Sequence, residues 1–156
     1  MKIYIGSDHA GYAMKEELKE FLEDLEHDVE DCGAYTFDPN DDYPDFIEKV
    51  AQQVSTEAGK GLQNKVFGII LGSSGEGEAM DANRFPHVRA LEYYGGNLEI
   101  VKLGREHNDA NILSLGARFV PIEEAKQAVE IFIETNFSAE IRHQRRIDKI
   151  DDENHE

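Results

Sequence analysis

The sequence predicts an α/β fold: a doubly wound sheet of five parallel strands, ordered 2-1-3-4-5, finished by a C-terminal helix. Two observations carry that expectation. Short apolar, β-rich runs alternate with stretches of helical periodicity, which implies a parallel sheet covered on both faces. The chain has 156 residues and is 40% hydrophobic, enough for one domain with a packed interior. No internal repeat, low-complexity segment or interdomain linker interrupts it. One domain is therefore expected over residues 1–150, with an acidic tail over 151–156, the end of "DKIDDENHE".

The elements follow in order. "KIYIGS" (2–7) reads as a strand. In residues 12–27, Met14, Leu18, Phe21, Leu22 and Leu25 recur at helical spacing. "DVEDCG" (28–33) is a short strand. "YPDFIEKVAQQVS" (43–55) is a helix with Pro44 near its start, where a missing N–H costs nothing. "VFGIIL" (66–71) is a buried strand, and a short helix begins near Gly77. "VRALEYY" (88–94) is the fourth strand, residues 97–108 a helix, and "NILSLG" (111–116) the fifth strand. Residues 122–136 and 138–150 form the closing helices.

Charge narrows the function classes. Lys and Arg number 16 against 33 Asp and Glu, a formal charge of −17, which repels nucleic acid and anionic membranes. A phosphorylated metabolite would be repelled too, so a phosphate site needs a local positive cluster. No run approaches a membrane span, and "MKIYIGSDHAG" lacks a signal-peptide core, so a cytoplasmic location is expected. The single cysteine, Cys32, excludes an intramolecular disulfide and a cysteine-built zinc site, and it reads as a buried structural thiol.

In such sheets ligands bind beyond the carboxyl ends of the strands, near the switch point between strands 1 and 3. "SDHAG" places Asp8 and His9 after strand 1, and "GSSGEGE" (72–78) follows strand 3. "REHNDAN", with His107 and Asn108, precedes strand 5, and all three segments are expected in one crevice. The glycine-rich loop is neither a P-loop nor GxGxxG. Its backbone N–H groups, with the following helix N-terminus, could hold a phosphate or a developing oxyanion. The bland alternative is a βα turn with Glu78 in the first helical turn. In "RHQRR", Arg142 and Arg146 share a helix face and form a candidate phosphate clamp, surface salt bridges being the alternative. Arg145 points elsewhere, and facing solvent is the bland reading of His143. Arg118, in "GARFV", could join the clamp or be a structural strand-end residue.

These motifs, in this order, resemble the ribose-5-phosphate isomerase type B and galactose-6-phosphate isomerase family. The matching pieces are "GSDHAGYAMK", "DYPDF", "GSSGEGEAMDANRFPHVRA", "REHNDANILSLGAR" and "RHQRRI", spanning nearly the whole chain up to about residue 150. The resemblance implies a Rossmann-like sheet, a dimer (or tetramer) whose active sites are completed by the partner subunit, and aldose–ketose isomerisation of a sugar phosphate through an enediolate. It implies no metal and no organic cofactor. One branch uses a cysteine directly after strand 3 as base, and here that position is Gly72. The other branch carries a loop serine and a glutamate four residues later, the spacing of Ser74 and Glu78.

The resemblance therefore assigns the base to Glu78. Gly75 to Gly77 N–H groups, Ser74 and Asn108 would serve the enediolate oxygen, and His107 ring opening. Asp8 and Tyr43 would contact sugar hydroxyls, with capping of the next helix as the plainer role of Tyr43 and Asp42. His9, Arg118, Arg142 and Arg146 would hold the phosphate, some across the subunit interface. Asn83 reads as holding the loop. Glu76 and Asp81 have no counterpart in the pattern. The substrate expected is ribose 5-phosphate, with a six-carbon sugar phosphate of the allose or galactose type as the alternative. Two further readings are a metal enzyme using Asp8, His9, His107 and Glu78, and a non-catalytic sugar-phosphate-binding relative.

Overall fold

The computed structural model describes residues 1–61 and 65–152. The strands are β1 (Lys2–Ser7), β2 (Asp28–Asp31), β3 (Val66–Gly72), β4 (Ala90–Tyr93) and β5 (Ile112–Gly116). The helices are α1 (Tyr12–Asp24), α2 (Pro44–Gly59), α3 (Glu76–Ala82), α4 (Glu99–Asn108), α5 (Ile122–Glu134) and α6 (Ile141–Asp151). Helix α6 runs one residue past the expected boundary, and residues 153–156 of the expected tail lie outside the described residues.

All strand pairs are parallel, as expected, but the order is 2-1-3-5-4 rather than 2-1-3-4-5. Burial explains the difference. Every residue of β5 is buried, so β5 needs a neighbour on each side. Strand β4 is short, mostly half-buried and carries Glu92, which suits an edge. As a result β5 lies directly beside β3. The turn after β5 then binds the loop after β3, with Ala117 N donating to Gly72 O at 2.9 Å and Arg118 N to Ser73 O at 3.1 Å.

Alternation along the strands divides the core in two. Ile3, Ile5, Phe67, Ile69, Leu71, Leu113 and Leu115 pack with α1, α4 and α5, where Phe132 stands edge-on to Phe67. Tyr4, Ile70 and Ile112 pack with Ile47, Val50 and Val54 of α2. Each fully buried Ile, Leu or Phe contributes about 1.5–3 kcal/mol. The apolar stripe of α1 is as read, with Leu18 and Leu22 fully buried, except that Leu25 has left the helix and is exposed. Lys15 is also fully buried there, its Nζ 2.7 Å from both Asp31 and Glu16.

Candidate active site

At the carboxyl end of the sheet the chain builds a pocket of acids around one loop. Gly75, at φ 87°, turns the chain from β3 into α3. The first-turn N–H groups of the helix have no partner within it and find side chains instead, Glu76 N on Ser74 Oγ and Glu78 N on its own carboxylate. Glu78, in that first turn, is 4% exposed. A Cβ at position 72 would lie 1.7 Å from Glu78 Oε1 and 2.1 Å from its carboxyl carbon. The Glu78 carboxylate therefore fills the space that any side chain on the last residue of β3 would occupy. Burial pushes its pKa above the ordinary carboxylate value, opposed by its own backbone N–H, and the Asp8 and Asp81 charges push the same way as burial.

The flanking groups come from several elements. Asp8 is 7% exposed and its Oδ1 accepts from Ala10 N (2.9 Å) and Gly11 N (3.3 Å), holding the turn into α1. Asp41 Oδ1 accepts from His9 N at 3.0 Å and from His9 Nδ1 at 2.6 Å. An ionised carboxylate only accepts, so the proton sits on Nδ1. That bond raises the His9 pKa, with burial opposing it, the Asp8 and Asp41 charges helping and Arg118 opposing. Arg118, in the turn after β5, therefore lies at the same end of the sheet as His9. Tyr43 caps α2 only through its backbone, and Asp42 makes no side-chain cap. The Tyr43 phenol instead presses on the loop: a Cβ at Gly77 would meet its Oη at 2.7 Å. Ser74 Oγ accepts from Glu76 N at 3.3 Å. Asn83 holds α3 to β4, exchanging bonds with Ala90 N (2.8 Å) and Ala90 O (3.2 Å). Cys32 is buried and its thiol is pushed up to about 11, which makes it unreactive.

A second cluster lies at the opposite end of the sheet. Helix α4 runs back against the strands, so His107 and Asn108, at its C-terminus, reach the amino ends of β3, β4 and β5. Asp109 ends α4 in the left-handed conformation, at φ 46°. Arg89 fixes that turn, with Nε 3.0 Å from Asn108 O and guanidinium contacts to Asp109 (3.2 Å) and Asp151 (3.0 Å). Buried Arg105 pairs with Asp109 at 2.9 Å. The His107 ring stacks on His143, with centroids 4.3 Å apart and planes 11° from parallel. Arg142 and Arg146 flank His143 on α6, and Arg142 Nε is 2.8 Å from Glu140.

Three expectations change here. His107 and Asn108 do not join Glu78 within one chain, because residues preceding a strand sit at its amino end. The length of β3, about 20 Å at 3.3 Å per residue, separates the two clusters. His143 does not face solvent: it is 5% exposed, and its Nε2 has no hydrogen-bond partner among the described residues. The metal set Asp8, His9, His107 and Glu78 is divided in the same way. Asp8, His9 and Asp41 do bring one ligand atom each within 4.8 Å of one another, but the His9 Nδ1 in that trio is committed to Asp41. Sequence reading missed Asp41, whose loop reach no spacing rule reports. It also missed Glu92, although a charge inside an apolar strand run was a visible signal.

The Ribose/Galactose Isomerase family matches residues 3–150. A ribose-5-phosphate isomerase B of Mycolicibacterium paratuberculosis is 38% identical over 148 residues, covering 95% of this chain and 88% of the relative. The crystal structure of ribose-5-phosphate isomerase B from Mycoplasma genitalium with bound ribulose-5-phosphate superposes with a TM-score of 0.88. It is 39% identical and covers 96% of this chain and 93% of that one. The enzyme of the same name from Clostridium thermocellum gives a TM-score of 0.86 at 38% identity, covering 97% and 95%.

Proposed function

The chain belongs to the ribose/galactose isomerase family, and from that premise we propose that it interconverts ribose 5-phosphate and ribulose 5-phosphate in the cytoplasm, with Glu78 as the proton-shuttling base. The observation that carries the base assignment is the fit of the Glu78 carboxylate into the space above Gly72. A base is wanted at the end of β3, and the chain delivers one there from the next helix.

Isomerisation moves a proton between C1 and C2 of the open-chain sugar, and one carboxylate can remove it from one carbon and return it to the other. Burial of Glu78 raises its pKa and so strengthens it as a base. The enediolate oxygen is served by N–H groups at Gly75 and Gly77 and by Ser74. In this reading Asp8 and Tyr43 contact sugar hydroxyls, and His9, its charge favoured by Asp41, joins Arg118 in holding the phosphate. The other half comes from a second copy of the chain, whose His107, Asn108, Arg142 and Arg146 approach the open end of this pocket. Ring opening is the task of the partner's His107. A phosphate held far from the reacting carbons supplies binding energy for orientation.

The test is a panel of pentose and hexose phosphates assayed in EDTA with wild type and Glu78→Gln. Wild type should turn over ribose 5-phosphate in the chelator. Glu78→Gln should lose about 10²–10⁴-fold in kcat while still binding the sugar phosphate. Turnover of the variant at the wild-type rate would reject the base, and restoration of a chelated enzyme by one divalent ion would replace the reading with a metal-dependent one.

A further inference from the structure

Glu92 is the acid that this mechanism leaves unused. It lies on edge strand β4, in register with Ser114 of β5. Ser114 Oγ donates to Gly75 O at 2.6 Å, so this face of the sheet supports the first turn of α3. Side chains alternate along a strand, which puts Glu92 on the α3 face and Leu91 and Tyr93 in the core on the other. The Glu92 Oε1 is buried without a hydrogen-bond partner among the described residues. From α3 the charges acting on it are Glu76 and Glu78, from β5 it meets the uncharged Ser114, and α4 packs on the opposite face. A buried carboxylate whose acting charges are other carboxylates is expensive to ionise.

We propose that Glu92 is a positioning residue for the proton shuttle: by keeping or losing its own proton it sets the charge that Glu78 and the reaction oxyanion face. This rests on Glu78 being the base. Burial, then Glu76, then Glu78, push the Glu92 pKa up to about 7. Below that pH Glu92 is neutral, and the enediolate, whose proton has passed to Glu78, forms with one carboxylate fewer beside it. Above it, Glu92 adds a negative charge to the pocket and opposes the oxyanion. The pair titrates as a unit, so the step belongs to the coupled acids of the loop. Glu76, exposed at the start of α3, keeps the proton on Glu92.

The experiment reads kcat at saturating ribose 5-phosphate from about pH 5 to pH 9, the range that brackets such a step. Saturation separates this effect from His9, whose loss of charge acts on KM. Wild type should lose up to about tenfold in kcat through neutrality, one unit of coupling being a tenfold change. Glu92→Gln and Glu92→Leu should lack that limb, and the carboxyl carbon of Glu92 should titrate near neutrality by NMR of the wild-type enzyme. A limb that persists unchanged in either folded variant overturns the proposal. So does a Glu92 carboxyl that titrates in the ordinary range, a measurement that needs no variant to fold. Glu78→Gln, assayed in parallel, reports on the base alone: if it is inactive at every pH while the Glu92 variants keep the limb, only the present inference fails.

Discussion

Asp41 holds His9 through both its ring and its backbone N–H, and this makes a pH prediction. The hydrogen bond raises the His9 pKa. The imidazolium is then fully present below its ordinary value and is lost only as pH rises through the raised one. In Asp41→Asn the charge is lost earlier, so KM for the sugar phosphate should begin to climb at lower pH than in wild type, with kcat less affected. Identical KM profiles would remove Asp41 from phosphate binding. Gly72→Ala addresses the base differently. Its Cβ would collide with the Glu78 carboxylate, and kcat should fall on the order of 10²-fold, the cost of a misplacement of about 1 Å. At this scale the residues alone left Glu78 open between a βα-turn acid and a base, and the family resemblance singled it out; its packing over Gly72 is visible only in the fold. Asp41 was not legible, because its role depends on where an irregular loop folds back.

At the scale of elements, the turn that ends α4 depends on a buried charge network. Arg105 is 2% exposed, lies against Phe67 and Phe132, and pairs with Asp109. Arg105→Ala should cost about 3–5 kcal/mol, because Asp109 loses one buried partner. A urea or thermal unfolding curve measures it, and a midpoint equal to wild type would show the network to be dispensable. Periodicity made every strand and helix legible, with ends shifted by a few residues. Strand order was harder, because periodicity says which face is buried and not which strand is the neighbour. The decisive clue was in "ALEY", a short run with an acid that belongs at an edge.

The whole molecule presents its two clusters at opposite ends of one sheet. A pair of chains can bring the Glu78 end of one to the His107 end of the other, in both senses at once. Mixing two inactive variants tests this. Glu78→Gln and His107→Ala chains, unfolded and refolded together in equal amounts, should recover about a quarter of wild-type activity. Half of the pairs are then mixed, and each holds one intact site of its two. No recovery would mean that both residues serve a site within one chain. Here the sequence misled: it put His107 and Glu78 in one crevice, and only the direction of α4 reveals that a single chain keeps them apart.

The space above Gly72 also constrains how such a protein can change over time. A cysteine at 72 and a glutamate at 78 claim the same volume. With Glu78 as the proposed base, acquiring the thiol first displaces the carboxylate, and losing the carboxylate first leaves the end of β3 without a base. Each single step from one solution toward the other passes through a crippled intermediate, although the two endpoints do the same chemistry. The two positions are therefore expected to be inherited as a linked pair, because the glycine makes the room in which the acid rests.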